Sequence, residues 1–288
     1  MLTGYYEVGG TKYNIDQDYT KGIQKTLAQK LVQDITIDGN FGPASIAALT
    51  KFQLQSGVPT TGVYDPATQA VVEPFLLSHF VTRADFQNAA NELGVPIAAV
   101  KAVQETETSG SGFAYTGRVR ILFERHWMAR FLSAKLPSAQ YQKLALANSD
   151  IINTTPGGYA TGPTADARSI AEYTRFSRAF AIDADCAMKS ASWGLFQIMG
   201  FNANFAGFKN ADGTPSTGPF VDAMKSNEQA QLLGFVSFIK TYNGGALWMA
   251  MKNKDWVTFA RIYNGSANVA HYSQVIGTNF SNFSAMYA

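Results

Sequence analysis

A short internal repeat near the front of the chain constrains the fold more than any other feature. Residues 38–52 read DGNFGPASIAALTKF and residues 61–75 read TGVYDPATQAVVEPF, which superimpose at an offset of 23. Both copies run Gly, any residue, an aromatic, any residue, Pro-Ala, Ser or Thr, then apolar positions ending in Phe. Gly39 and Gly62 permit a tight turn. Pro43 and Pro66 stand where proline suits the first position of a helix, and Asp65 is a natural cap. Each copy therefore predicts a turn and a short helix whose apolar residues (Ile46, Leu49, Phe52; Val71, Val72, Phe75) need a partner. A helix predicted over residues 20–33, with Ile23, Leu27 and Leu31 on one side, supplies it. The result is a three-helix module of about 70 residues, near the lower limit for a self-sufficient core.

With 288 residues the chain has room for about two domains. The boundary is predicted near residues 76–82, dividing the chain into 1–78 and 79–288. Thr82 is a plausible cap for a helix over 83–93, which Gly94 ends before Pro96 opens the next. Further helices are predicted over 96–108, 121–133, 138–147, 166–180, 182–190, 219–241, 245–251 and 253–262. Loops are expected at 151–164 and 208–218, and short strands around 117–123 and 193–198. No strand–helix alternation argues for a parallel sheet, so the fold class is mainly α.

Composition narrows the partners. Lys plus Arg number 23 against 21 Asp plus Glu, a net charge of +2. That balance forms no basic stripe, so no nucleic-acid partner is expected. The lone Cys186 excludes an internal disulfide framework and a four-cysteine zinc site. At helical spacing in AIDADCAMKSA it reads as a small buried hydrophobe. His79, His126 and His271 show no metal-ligand spacing, and Asp34 to Asp38 lacks the closing Glu of a calcium loop, so neither metal nor cofactor is expected. Asp38 is better explained by the turn at Gly39. No run of about 18 apolar residues is present to insert stably into a bilayer. The start, MLTGYYE, has neither the basic nor the apolar region of a cleaved secretory signal, so synthesis and folding in a cytoplasm are expected.

Three stretches carry candidate chemistry. In 95–113, VPIAAVKAVQETETSGSGF, a helical period puts Val100, Val103 and Glu107 on one face, with Lys101 and Glu105 nearly opposite. Glu105, four residues after a lysine, reads as solvated. Glu107 continues the apolar face, where a carboxyl group resists ionisation, as a general acid at neutral pH requires. The alternative is a helix-end carboxylate that frays into water. The SGSG at 109–112 lacks the lysine of a phosphate loop and suits a tight exit from the helix. The second stretch, SASWGLFQIMG at 190–200, suits a turn lining a polar groove or a buried aromatic segment. The third, FARIYNG at 259–265, presents Tyr263 and Asn264 at a helix end, which is equally an ordinary C-terminus.

Taken in order, Glu-Thr-Ser-Gly, Ser-x-Ser-Trp-Gly-Leu-Phe-Gln-Ile and Ala-x-x-Tyr-Asn-Gly resemble the signature of the goose-type lysozyme and lytic transglycosylase superfamily. The run from Gly117-Arg118-x-Arg120 to Glu124-Arg-His126, with Gly158-Tyr159 later, is similar more specifically to the N-acetylmuramidase domain of modular phage endolysins. Asp38-Gly-x-Phe41-Gly-Pro, Phe52-Gln53 and Thr61-Gly62-Val63 resemble a three-helix peptidoglycan-binding domain. A binder placed ahead of this catalytic domain is an arrangement of endolysins from phages of Gram-negative bacteria. One departure stands out: Thr108 replaces the usual Ser after the catalytic Glu and keeps a hydroxyl.

The resemblance implies a lysozyme-like helical catalytic domain behind the small module, with peptidoglycan as partner. It implies cleavage of the β-1,4 bond between N-acetylmuramic acid and N-acetylglucosamine, with Glu107 as general acid. Glu124, His126, Ser192, Gln197, Tyr263 and Asn264 would contact the glycan, and Asp38, Phe41, Gln53 and Tyr64 the cell wall. Glu124 is the nearest candidate for a second carboxylate, although the arginines around it suit a structural ion pair equally. Without one, the substrate's 2-acetamido or 6-hydroxyl group takes that role, the latter giving the anhydro product of a lytic transglycosylase. A non-catalytic wall-binding structural protein and a peptide-cleaving wall enzyme are the rivals. Action in the periplasm, release through a holin-type pore and a monomeric state complete the expectation.

Overall fold

The chain, here a computed structural model, is described over residues 4–8, 11–15, 17–108 and 110–287, the first two stretches as backbone alone. Ser109 of the predicted tight exit lies outside the described residues. Strands β1 (Gly4–Val8) and β2 (Thr11–Ile15) pair antiparallel ahead of the module, a hairpin the sequence reading did not foresee.

Helices α1 (Gln17–Leu31), α2 (Pro43–Ser56) and α3 (Pro66–His79) form the predicted three-helix module. Its core joins Ile23, Leu27, Leu49, Phe52, Val72 and Leu76. Ile46 and Val71, predicted to face inward, stay exposed; the neighbouring positions on each helix already fill the space against α1. Two buried glutamines explain the repeat physically. Gln24 accepts from the Gly39 amide at 2.9 Å and donates to Asp38 Oδ1 at 2.8 Å and Ser45 Oγ at 3.1 Å. Gln53 accepts from the Gly62 amide at 2.9 Å and donates to Val63 O at 2.9 Å and Thr68 Oγ1 at 2.8 Å. Each helix thus lends a glutamine that closes the following glycine turn, where φ is +77° and +69°.

The same geometry places the four residues expected to contact the wall. Gln53 and Tyr64 are interior, and Tyr64 sets its hydroxyl 3.2 Å from that of Tyr19. Asp38 is exposed but spends one carboxylate oxygen on Gln24 and the Asn40 amide. Phe41 is half-buried against the module core. Gln53, buried, must be satisfied inside and closes its turn, Asp38 holds the Gly39 turn from the surface, and Tyr64 packs in the core against Tyr19.

The remaining helices are α4 (Arg83–Leu93), α5 (Ile97–Thr108), α6 (Arg125–Lys135), α7 (Ser138–Ala147), α8 (Ala165–Ile182), α9 (Ala184–Lys189), α10 (Thr217–Ser226), α11 (Glu228–Thr241), α12 (Ala246–Lys252), α13 (Trp256–Tyr263) and α14 (Val269–Met286). They surround a small antiparallel sheet of β3 (Ile121–Phe123), β4 (Ala191–Trp193) and β5 (Ile198–Met199), in that order. A second apolar core runs from Phe80 to Ile276. Thr82 caps α4 and Gly94 ends it, as predicted, and Asp85 completes a capping box with Thr82. The predicted helix 219–241 divides at Asn227, whose Oδ1 accepts from Ala230 N at 2.8 Å and caps α11. Helix α14 was not foreseen at all, and it packs along α5. No described helix is long and apolar enough to cross a membrane.

Helix α1 also faces the larger body. Asp18, Lys21 and Lys25 lie three and four residues apart, hence on one stripe. Asp18 pairs with Lys101 at 2.8 Å, Lys21 with Glu105 at 3.0 Å, and Lys25 with Glu228 at 2.8 Å. Glu105 is therefore paired rather than solvated, and Lys101 is buried. The face of α5 opposite Glu107 is the seat of the module.

Candidate active site

A cleft of about 340 Å³ opens beside the end of α5, with Glu107, Thr108, Arg120, Tyr159, Glu172 and Gln197 in its walls. Glu107 is half-buried: its carboxyl group meets the cleft while protein crowds it from behind. That desolvation pushes its pKa from the usual 4.5 to about 7, and the hydrogen bond from Asn264 Nδ2 to Oε1 at 2.9 Å opposes the rise only in part. Burial disfavours the charged carboxylate, so the group holds its proton near neutrality.

The local chain explains why Glu107 points this way. Val100 and Val103 are fully buried, so the face they define carries Glu107 toward the interior edge. Thr108 locks the helix end by donating to Leu195 O at 2.9 Å, and Arg120 donates to Thr108 O at 3.0 Å. Just beyond, Gly112 and Gly194 straddle Gln231, which accepts from Leu195 N at 2.7 Å. A Cβ on Gly112 would lie 2.0 Å from Gln231 Oε1, so this crossing accepts no side chain. Gly112 N also donates to Glu228 at 2.8 Å.

The other predicted residues fall into three groups. Asn264, at the end of α13, touches Glu107 directly, and its own Oδ1 is buried without a partner among the described residues. Tyr263 lies behind the acid and donates to Phe196 O at 2.5 Å, fixing the turn 194–196; burial and then Glu107 hold its phenol well above the usual range. Ser192 is buried and donates to Gln197 Oε1 at 2.7 Å, while Gln197 Nε2 donates to Gly194 O at 2.8 Å. Gln197 reaches the cleft from a left-handed backbone (φ +48°). Tyr263 and Ser192 thus act on the shape of the wall rather than at its surface.

Glu124 and His126 form the third group. Glu124 accepts from the Tyr159 hydroxyl at 2.9 Å, and His126 Nδ1 lies 3.2 Å from its other oxygen. The structural ion pair with a flanking arginine is not formed: Arg125 donates to Thr155 O and Arg120 pairs with Asp166. Burial, then Glu107, then Glu124 raise the pKa of Tyr272, which places that phenol within the field of both carboxylates.

The sequence reading did not single out Arg120 and Glu172, which line the cleft, nor Asp166, which pairs with Arg120, nor Tyr272, which feels Glu107 and Glu124. Glu172 is buried and paired with Arg175 at 2.7 Å, and it accepts from Phe123 N at 3.3 Å and from Ala160 N. Tyr272 rides on α14, so missing that helix meant missing the phenol. Among the described residues no cluster of three metal-ligating side chains converges.

Comparison with known proteins agrees with this geometry. The N-acetylmuramidase family matches residues 96–284, and a peptidoglycan binding domain family matches residues 17–72. The crystal structure of the Burkholderia AP3 phage endolysin is 33% identical over 99% of this chain and 99% of that one, with a TM-score of 0.59. No curated protein matches in sequence. On these matches the chain belongs to the N-acetylmuramidase family, a muramidase-type glycoside hydrolase with a peptidoglycan-binding domain ahead of its catalytic part.

Proposed function

We propose that the protein is a bacteriolytic endolysin that cleaves the β-1,4 bond between N-acetylmuramic acid and N-acetylglucosamine, with Glu107 as general acid. One observation carries this reading: a carboxyl group with a pKa of about 7, held by Asn264 at the wall of an open cleft. Protonated Glu107 gives its proton to the glycosidic oxygen as the C1–O bond breaks, and positive charge spreads over C1 and the ring oxygen. Asn264 suits both protonation states. Its amide N–H donates to the carboxylate, and after a flip its unpartnered Oδ1 accepts from the acid form.

Water then attacks C1 and loses a proton to a base. Glu124 is the candidate for that role: it accepts from the hydroxyl of Tyr159, a residue of the cleft wall, and no arginine neutralises it. The separate cores on either side of residues 76–80 support a division into 1–78 and 79–288. We further infer a monomer that is made in a host cytoplasm, passes a holin-type pore and acts in the periplasm.

Lysis of outer-membrane-permeabilised cells by wild type but not by Glu107→Gln, with new reducing sugar ends among the fragments, is the expected result. Equal lysis by both proteins refutes the acid assignment, and new amino termini in place of sugar ends refute the glycosidase. Fragment mass separates a hydrated from an anhydro product, and so hydrolysis from transglycosylation.

A further inference from the structure

Around the shoulder of α8 from the cleft lies a second cavity of about 560 Å³, which none of the chemistry above uses. Its floor is aromatic: Tyr173, Phe176 and Phe180, the last 44% exposed. Its rim carries two exposed cations, Arg118 and Lys225, and no acid lines it. Arg118 lies 5.2 Å from the centre of the Tyr173 ring and Lys225 5.9 Å from that of Trp193. Among the described residues neither cation pairs with a carboxylate. An open apolar floor under two uncompensated positive charges suits a short chain with apolar side groups and carboxylates.

The same two chain segments wall the cavity and the cleft with different residues. Arg120 and Ile121 line the cleft while Arg118 and Val119 line the cavity; on α8, Ser169 belongs to the first and Ser177 to the second. Eight residues of helix span about 12 Å. An extended tetrapeptide reaches about 13 Å. A peptidoglycan strand carries such a peptide, rich in carboxylates, on its muramic acid residues. We propose that this cavity binds the acidic peptide stem of the strand whose glycan lies in the cleft, so that the enzyme reads the peptide as well as the sugar. This rests on the glycosidase reading of the cleft.

Glycan strands bearing stems and the same strands stripped of peptide by an amidase test the proposal. An exposed ion pair adds up to about fivefold, so two give a preference of roughly tenfold in kcat/KM for stem-bearing strands, weaker in high salt. In Arg118→Ala/Lys225→Ala the preference is expected to vanish while turnover of stripped strands stays unchanged; both side chains are exposed, so the fold is spared. Wild type without a preference, or a double variant that keeps it, overturns the proposal. Calorimetric titration with the isolated stem tetrapeptide reads the cavity without catalysis. Binding that the double variant loses supports the site, and no binding at millimolar peptide overturns it. Should neither strand be cut, the reading of the cleft fails, and the titration still decides the cavity.

Discussion

Replacing Lys25 by Met tests whether the wall-binding module is a tethered appendage or part of the catalytic body. Lys25 is buried, and it meets Glu228, itself fully buried, at 2.8 and 3.1 Å. Glu228 also accepts from Gly112 N at 2.8 Å and Val81 N at 3.2 Å, so one carboxylate joins the module, the linker and the loop that follows Glu107. Removing one partner of a buried ion pair costs about 3–5 kcal/mol, because the other charge is stranded. The two amides still serve Glu228, which argues for the lower end, about 3 kcal/mol. At roughly 2–4 °C per kcal/mol for a body of this size, Tm falls by about 6–12 °C. Scanning calorimetry should show one transition in wild type that moves as a whole in Lys25→Met. Lys25→Met/Glu228→Gln removes the stranded charge and keeps a carbonyl acceptor for one of the two amides, so it should regain part of the loss, whereas Lys25→Met/Glu228→Leu leaves both the Gly112 and Val81 amides unsatisfied and should not. Two independent transitions in wild type, or a shift below about 2 °C in Lys25→Met, would refute the reasoning: the pair would then be a contact without energetic weight.

Further outcomes follow from the site. In Glu107→Gln the lytic rate falls by about 10²- to 10⁴-fold, the usual worth of a general acid. The same variant is more stable than wild type at alkaline pH. The folded protein holds the Glu107 proton up to about pH 7 and the unfolded chain only to about 4.5, so wild-type stability declines as pH rises between them, by roughly 3 kcal/mol in total; equal denaturation midpoints at pH 8 would contradict it. Activity of wild type falls as pH rises through about 7, where the acid loses its proton. Asn264→Ala removes the hydrogen bond that favours the carboxylate and moves that limb of the pH–rate profile upward, by about one pH unit or less for a bond worth roughly 1 kcal/mol; a downward move would reverse the role given to Asn264. Gly112→Ala drives a Cβ against Gln231 and lowers stability by about 1–3 kcal/mol in a denaturant titration.

What could be read from the chain, and what could not, divides by the distance over which each interaction acts. Glu107 was legible because its orientation follows from one helix: Val100 and Val103 seek the core, and the next position on that face is a carboxylate. The module was legible because its repeat is written within a few dozen residues, although Gln53 and Tyr64 turn out to be buried. A motif says that a residue matters but not whether it faces the ligand or the turn, and burial decides for the turn. Asn227 was readable in principle as a cap followed by an acidic first turn, and it would have divided the predicted helix correctly. Helix α14 was harder. Only Ile276 and Phe283 are buried, seven residues apart, and Ser, Asn, Thr and Gly dilute any apolar stripe. It is a helix chiefly because α5 and α13 offer it a surface, which is a tertiary cause. The stripe on α1 was invisible for the same reason. Asp18, Lys21 and Lys25 look like an ordinary solvated face until their partners arrive from Lys101, Glu105 and Glu228, the last 203 residues away. A charge pattern fixes which faces can pair and never with whom, so the contact of the module with the loop after Glu107 could emerge only once the fold brought Glu228 beneath Gly112.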